Sequence, residues 1–217
     1  MPRQSMLGHM SFSSAERVKM VALFHKLGPD APTLCEGWTT RDLAAHLWVR
    51  ENRPDAAAGM FIPQLQKRLE SAMQKAAARD FDELVDAWGR GAKKTNPMRY
   101  VDSLANFTEH FIHHEDIRRA NGMTEPRDFS KAVEKELHKG LKMLAPRMLS
   151  KSAKPVVLYP EGLARIVVGD SKKVAERGDD VVRVLGPVSE LVLWTYGRDA
   201  SDVRIEGDNN AIVRSGF

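Results

Sequence analysis

Three histidines, His110, His113 and His114, fall within five residues, and Glu109 lies four residues before His113 and Asp116 three after it. On an α-helix, side chains at i and i+4 share a face, with Cβ atoms about 5–6 Å apart. An imidazole and a carboxylate held that way can both reach one divalent cation, at about 2.0–2.2 Å for zinc. At about 100° per residue, Glu109, His113 and Asp116 gather on one side, while His110 and His114 form a second i, i+4 pair on another. The apolar residues Val101, Leu104, Phe107, Phe111 and Ile112 run between the two pairs, so periodicity favours neither. A metal-free alternative is also open, in which these groups form a solvated helix face paired with Arg118 or Arg119.

A second cluster of chemistry-bearing residues lies in LCEGWTTRDLAAHL, residues 34–47. Thr39-x-x-Asp42 opens a helix, and His46 among Leu43, Ala44 and Leu47 should face inward. A lone histidine there is more often a satisfied core residue than a ligand. Cys35 reads as a small half-buried side chain. Trp38, Trp48 and Trp194 read as core or interface residues rather than a substrate box.

The elements that must position these groups are mostly helical. Ser13-x-x-Glu16 has the pattern of a capping box, and its helix stops at Gly28-Pro29. A loop to Trp38 and the helix opened at Thr39 follow, the latter ending before Pro54. Pro63 to Arg79 is rich in helix formers, and Asp80-x-x-Glu83 caps a shorter helix ending around Gly89–Gly91. Asn96-Pro97 introduces the longest periodic stretch, Tyr100 to Asn121, closed by Gly122. A helix from Ser130 to Leu149 should be kinked or shortened by Pro146.

After Lys154-Pro155 the pattern changes. Val156–Tyr159, Arg165–Val168 and Val181–Leu185 are β-branched runs between turn signals, and Val188–Tyr196 is helical up to Gly197. Val203–Ile205 and Ala211–Val213 read as a last strand pair. The expected division is a helical bundle over 1–154, ordered from about residue 13, with a small α+β module over 155–217 packed on it.

The 217 residues are 42% apolar and 29% charged, which excludes a disordered or collagen-like chain. One cysteine allows no internal disulfide, no run reaches the roughly 18 apolar residues of a membrane span, and the polar N-terminus lacks a secretory core; the expected compartment is cytoplasmic. The net charge of +4 is scattered, +6 over 1–155 and −2 over 156–217, without the single basic stripe of a nucleic-acid surface.

Together, CEGWTTRDLAAHL (35–47) and Glu109-x-x-x-His113-x-x-Asp116 resemble the DinB-like metal-binding superfamily, and more closely its mycothiol-dependent maleylpyruvate isomerase branch in actinobacterial proteins. GPVSELVLWTYGR (186–198) is similar to the C-terminal module of that branch, and the resemblance spans roughly residues 13–206. The doubled His113-His114 before Glu115-Asp116, and the charged helix pair between 63 and 95, depart from the isomerase pattern and look like a metal-binding subgroup. The resemblance implies a mainly α fold, a DinB-like four-helix bundle with a small C-terminal α+β module. It implies one divalent metal, usually zinc, on His46, Glu109 and His113, with Asp116 orienting an imidazole. It further implies a mycothiol-dependent transferase or isomerase in which the metal activates the thiolate of the cosubstrate, so that the chain supplies no nucleophile. The alternative is a non-catalytic metal-binding or sensing protein. Arg198 and then Arg50 are the expected contacts for an anionic substrate. The expected partners are a small-molecule thiol and an electrophile, with no nucleic acid and no membrane; a homodimer is compatible with a bundle that pairs through a helix face.

Overall fold

The computed structural model of the chain describes residues 11–60, 62–92, 103–171, 173–177 and 180–215. Two compact units divide after Gly122. Within the second unit, the helix that ends before Lys154-Pro155 packs on a helix that follows that point.

In the first unit, α1 (Phe12–Leu27) packs on α5 (Phe81–Gly89) and α6 (Ser103–Ala120). The helix α2 (Thr40–Asn52) packs on the short α3 (Pro54–Ala57), on α4 (Gln66–Ala77) and on α5. Local signals set most of these boundaries. Asp42 accepts the Thr39 N–H at 2.9 Å at the start of α2, and Asp80 accepts the Glu83 N–H at 3.0 Å at the start of α5. Gly28 closes α1 at φ +77°, a conformation that costs glycine little. Asn96-Pro97, Tyr100 and Val101, and the side chain of Leu104, lie outside the described residues.

One cap differs from its local pattern. Ser11, not Ser13, caps α1 by accepting the Ser14 N–H at 3.2 Å. Ser13 instead meets His110, and Glu16 turns into the core to accept from His114 Nδ1 at 2.7 Å. The apolar core combines Met20 and Phe24 of α1 with Leu43 and Leu47 of α2, Leu84 and Trp88 of α5, and Ile117 of α6. Phe81 and Trp88 meet Phe24 edge-on, with ring centroids 6.2 and 6.1 Å away, an arrangement favoured by the ring quadrupoles.

Most of the described polar side chains of α6 are interior rather than a solvated face. Thr108, His110, His113, His114, Glu115 and Asp116 are all buried. Buried charge is tolerable only when paired, and these groups are paired. Glu115 accepts from Arg118 and Arg119 at 2.8 Å each. Glu51 of α2 accepts from both Arg17 (2.8 Å) and Trp88 Nε1 (2.9 Å), and lies 3.1 Å from His110 Nε2. Burial raises the Glu51 pKa, but the His110 bond and the Arg17 charge outweigh it and hold it down at about 2.

A depressed folded pKa stabilises the protein above the unfolded value and loses that contribution on acidification. Stability is therefore expected to fall as pH drops from about 4.5 toward 2, with Glu51 a main contributor. Denaturant midpoints measured across that interval check this, and midpoints that stay level contradict it.

In the second unit, α7 (Lys131–Met148) starts at Ser130 and continues through Pro146, which sits in its last turn. The sheet order is β2-β1-β3-β4, with β1 (Val156–Pro160) parallel to β3 (Val182–Gly186). The strands β2 (Ile166–Val168) and β4 (Arg204–Glu206) pair antiparallel on the two edges. Short α8 (Val174–Arg177) precedes β3, and α9 (Val188–Thr195), buried along its whole length, follows it and packs on α7. Ala211–Val213 does not form a strand: Asp208 accepts the Asn210 N–H at 3.1 Å and turns 209–211 into a 3₁₀ helix. Among the described residues no helix is long and apolar enough to cross a membrane.

Candidate metal centre

The loop before α2 is fastened at both ends. Thr33 Oγ1 donates to the Trp38 carbonyl at 3.0 Å, and the Leu34 N–H donates to the Asp116 carbonyl of α6 at 3.2 Å. This brings Cys35, Trp38 and the first turns of α2 to the face of α6 that carries Glu109, His113 and Asp116.

His46 Nε2 lies 3.9 Å and His113 Nε2 3.4 Å from Glu109 Oε2. The two imidazoles stand edge to face with centroids 5.1 Å apart. One ligand atom from each of His46, Glu109 and His113 lies within 4.8 Å of the others. At 3.9 Å the His46–Glu109 contact is too long for a hydrogen bond, and His46 Nε2 is buried without a partner. An unsatisfied buried polar atom costs about 1–3 kcal/mol. Here it faces a carboxylate and a second imidazole, so the residues present fit a cation that would satisfy all three. The side chains of Glu109, His46 and His113 remain 21%, 14% and 10% exposed, which leaves the cluster open on one side.

Around this cluster, Asp116 Oδ2 accepts from His113 Nδ1 at 2.9 Å and from the Cys35 thiol at 3.3 Å. The first bond directs Nε2 of the ring toward Glu109. Arg50 Nε lies 3.4 Å from Glu109 Oε2, and its Nη1 donates to Asn106 Oδ1. The Trp38 ring lies 5.2 Å from that of His46.

These neighbours set the charge states. Burial lowers the His46 pKa despite Glu109 nearby. For His113 burial also lowers it, but the bonds to Asp116, Cys35 and Glu109 outweigh this and hold it well above its ordinary value. Burial raises the Glu109 pKa, yet His113, His46 and Arg50 hold it well below the carboxylate range. The metal-free cluster thus pairs a neutral His46 with a protonated His113 and an ionised Glu109. A cation on His113 would compete with its proton, so affinity is expected to rise with pH and binding to release protons. Calorimetry in buffers of different ionisation heat measures that release, and proton-neutral binding contradicts it.

The structure brings His46, Glu109, His113, Asp116 and Arg50 together. His110 and His114 turn away, to Glu51 and Glu16. Arg198 lies in the second unit, where it donates to the Tyr196 carbonyl at 2.8 Å. Cys35 and Trp38 border the cluster more closely than their sequence context indicates. The only signal was their position just ahead of the His46 helix, because the Cys35–Asp116 contact spans 81 residues.

No family model and no curated protein matches the sequence. Solved structures do match in fold. The crystal structure of the mycothiol-dependent maleylpyruvate isomerase has a TM-score of 0.57 at 16% identity, over 99% of this chain and 100% of that one. A histidine-to-alanine mutant of the mycothiol-dependent maleylpyruvate isomerase gives 0.53 at 14% identity, over 94% of this chain and 92% of that one. Over nearly its whole length, the chain has the fold of the mycothiol-dependent maleylpyruvate isomerase.

Proposed function

We propose that His46, Glu109 and His113 hold one divalent cation, with zinc the first choice for an N₂O donor set, and that the chain is a transferase or isomerase dependent on mycothiol. The observation that carries this reading is the buried, partnerless Nε2 of His46 facing Glu109 and His113, in a fold shared with a mycothiol-dependent enzyme. When bound, such a cation stabilises the thiolate form of a thiol cosubstrate at neutral pH. Three protein ligands leave coordination positions for small molecules, as catalytic rather than structural sites do.

The chain's own residues divide the remaining work. Asp116 holds the Nδ1–H of His113 and so fixes the ring and its tautomer. Arg50, steadied by Asn106, presents a guanidinium beside the cluster for a substrate anion. Trp38 packs beside the His46 ring, with centroids 5.2 Å apart. No side chain acts as the nucleophile, since the thiol arrives with the cosubstrate. The cytoplasm is the proposed compartment, because the cosubstrate must stay reduced.

Metal-loaded protein is expected to consume or isomerise an electrophile only when mycothiol is present. Loaded protein that neither binds nor uses the thiol contradicts the reading. Asp116→Asn is expected to weaken metal binding by about 10–100-fold, the usual cost of losing an outer partner of a ligating histidine; competition with a chromogenic chelator measures it, and unchanged affinity removes the orienting role.

A second reading keeps the same ligands in a non-catalytic metal-binding or sensing protein. It is favoured by the contacts that already engage Arg50, with Glu109 and Asn106. It expects metal-linked stabilisation without turnover.

A further inference from the structure

Behind the proposed ligands lies another group of donors. Cys35 Sγ is 3.3 Å and His113 Nδ1 is 2.9 Å from Asp116 Oδ2, and one ligand atom from each residue lies within 4.8 Å of the other two. Asp116 is fully buried and Cys35 is half-buried. His113 belongs to both groups, with Nε2 toward Glu109 and Nδ1 toward Asp116. Thiolate, imidazole and carboxylate together suit zinc-class cations and not magnesium or calcium, which take oxygen donors.

We propose that Cys35 Sγ, Asp116 and His113 Nδ1 form a second site for a thiophilic divalent cation, joined to the first through the His113 ring. The bridging role rests on the reading of His113 as a ligand of the first site; the Cys35 group stands on its own contacts. Binding is an exchange of protons for a cation. The Cys35 thiol and His113 Nδ1 each release a proton to solvent, Asp116 Oδ2 exchanges its two hydrogen-bond donors for the cation, and no electrons are transferred. Tetrahedral ligands at about 2.0–2.3 Å sit about 3.3–3.7 Å apart, so Asp116 Oδ2, now hydrogen-bonded to Nδ1 at 2.9 Å, must swing aside from the N–H direction to admit the cation. Because the second cation replaces the Asp116–His113 bond, an excess of a thiophilic cation is expected to inhibit the first site.

Cobalt(II) titration of reduced, metal-free protein, followed by absorption, tests this. Wild type is expected to take two equivalents, with sulfur-to-cobalt charge transfer in the near ultraviolet growing with the second. Cys35→Ser should lose that charge transfer and the second equivalent while keeping the visible bands of the first. Wild type without charge transfer overturns the proposal, whatever the behaviour of His46, and needs no variant to fold. Charge transfer that arrives with a single equivalent, and is unaffected by His46→Ala, keeps the Cys35 site while removing the His46, Glu109 and His113 assignment.

Discussion

His46→Ala is expected to lose divalent-metal binding by about 10²–10³-fold, with no loss of fold. Small zinc domains gain about 10–16 kcal/mol from four ligands, or about 2.5–4 kcal/mol for each one. Removing one of three ligands should have at least that effect, since fewer donors remain to share the cation. The thermal consequence is also specific. Metal at about 100 times its dissociation constant stabilises a native protein by about 2.7 kcal/mol, and this increment should vanish in the variant. His110→Ala supplies the contrast, because its ring contacts Ser13 and Glu51 rather than the cluster. It should change stability and leave metal affinity near wild type. Equal metal affinity in His46→Ala and wild type, measured by chelator competition, contradicts the ligand assignment.

Glu51→Ala is expected to cost about 3–5 kcal/mol of stability, the usual result of breaking a buried ion pair from one side. It removes the acceptor for Arg17 and Trp88 Nε1 and the partner of His110. Arg17 would keep its bond to the Trp88 carbonyl at 2.8 Å and its place over the Trp88 ring, but its charge would lack the facing carboxylate. Against a typical total of about 5–15 kcal/mol, this is a large fraction. Glu51→Gln, which keeps an acceptor oxygen but no charge, should lose less. Urea denaturation of the two variants measures both, and a loss below about 1 kcal/mol for Glu51→Ala shows that the network is not a main support.

The pairing of Glu109 with His113 could be read from the chain because it is local: four residues on one helix fix a shared face. That α6 is buried on so many sides could not. Its polar side chains are matched by Glu51, 59 residues from His110, and by Glu16, 98 residues from His114. The same distant pairing explains the displaced cap of α1. Ser13 and Glu16 have the local spacing of a capping box, but each has a partner on α6, and Ser11 takes over the cap. In the second unit the β-branched runs marked β1, β2 and β3, since burial on a sheet selects such residues. The segment 209–211 has no comparable core face, and the Asp208 side chain decides its turn. Cys35 and Trp38 were least legible, because a contact between a loop and a helix leaves no periodic trace.

Anomalous diffraction at the zinc edge, from crystals of the protein loaded with one equivalent of zinc, tests the metal centre most directly. The expected result is one strong peak with His46 Nε2, the Glu109 carboxylate and His113 Nε2 as its protein ligands, at about 2.0–2.2 Å. A peak that lacks any of these three, or no peak between α2 and α6, contradicts the account.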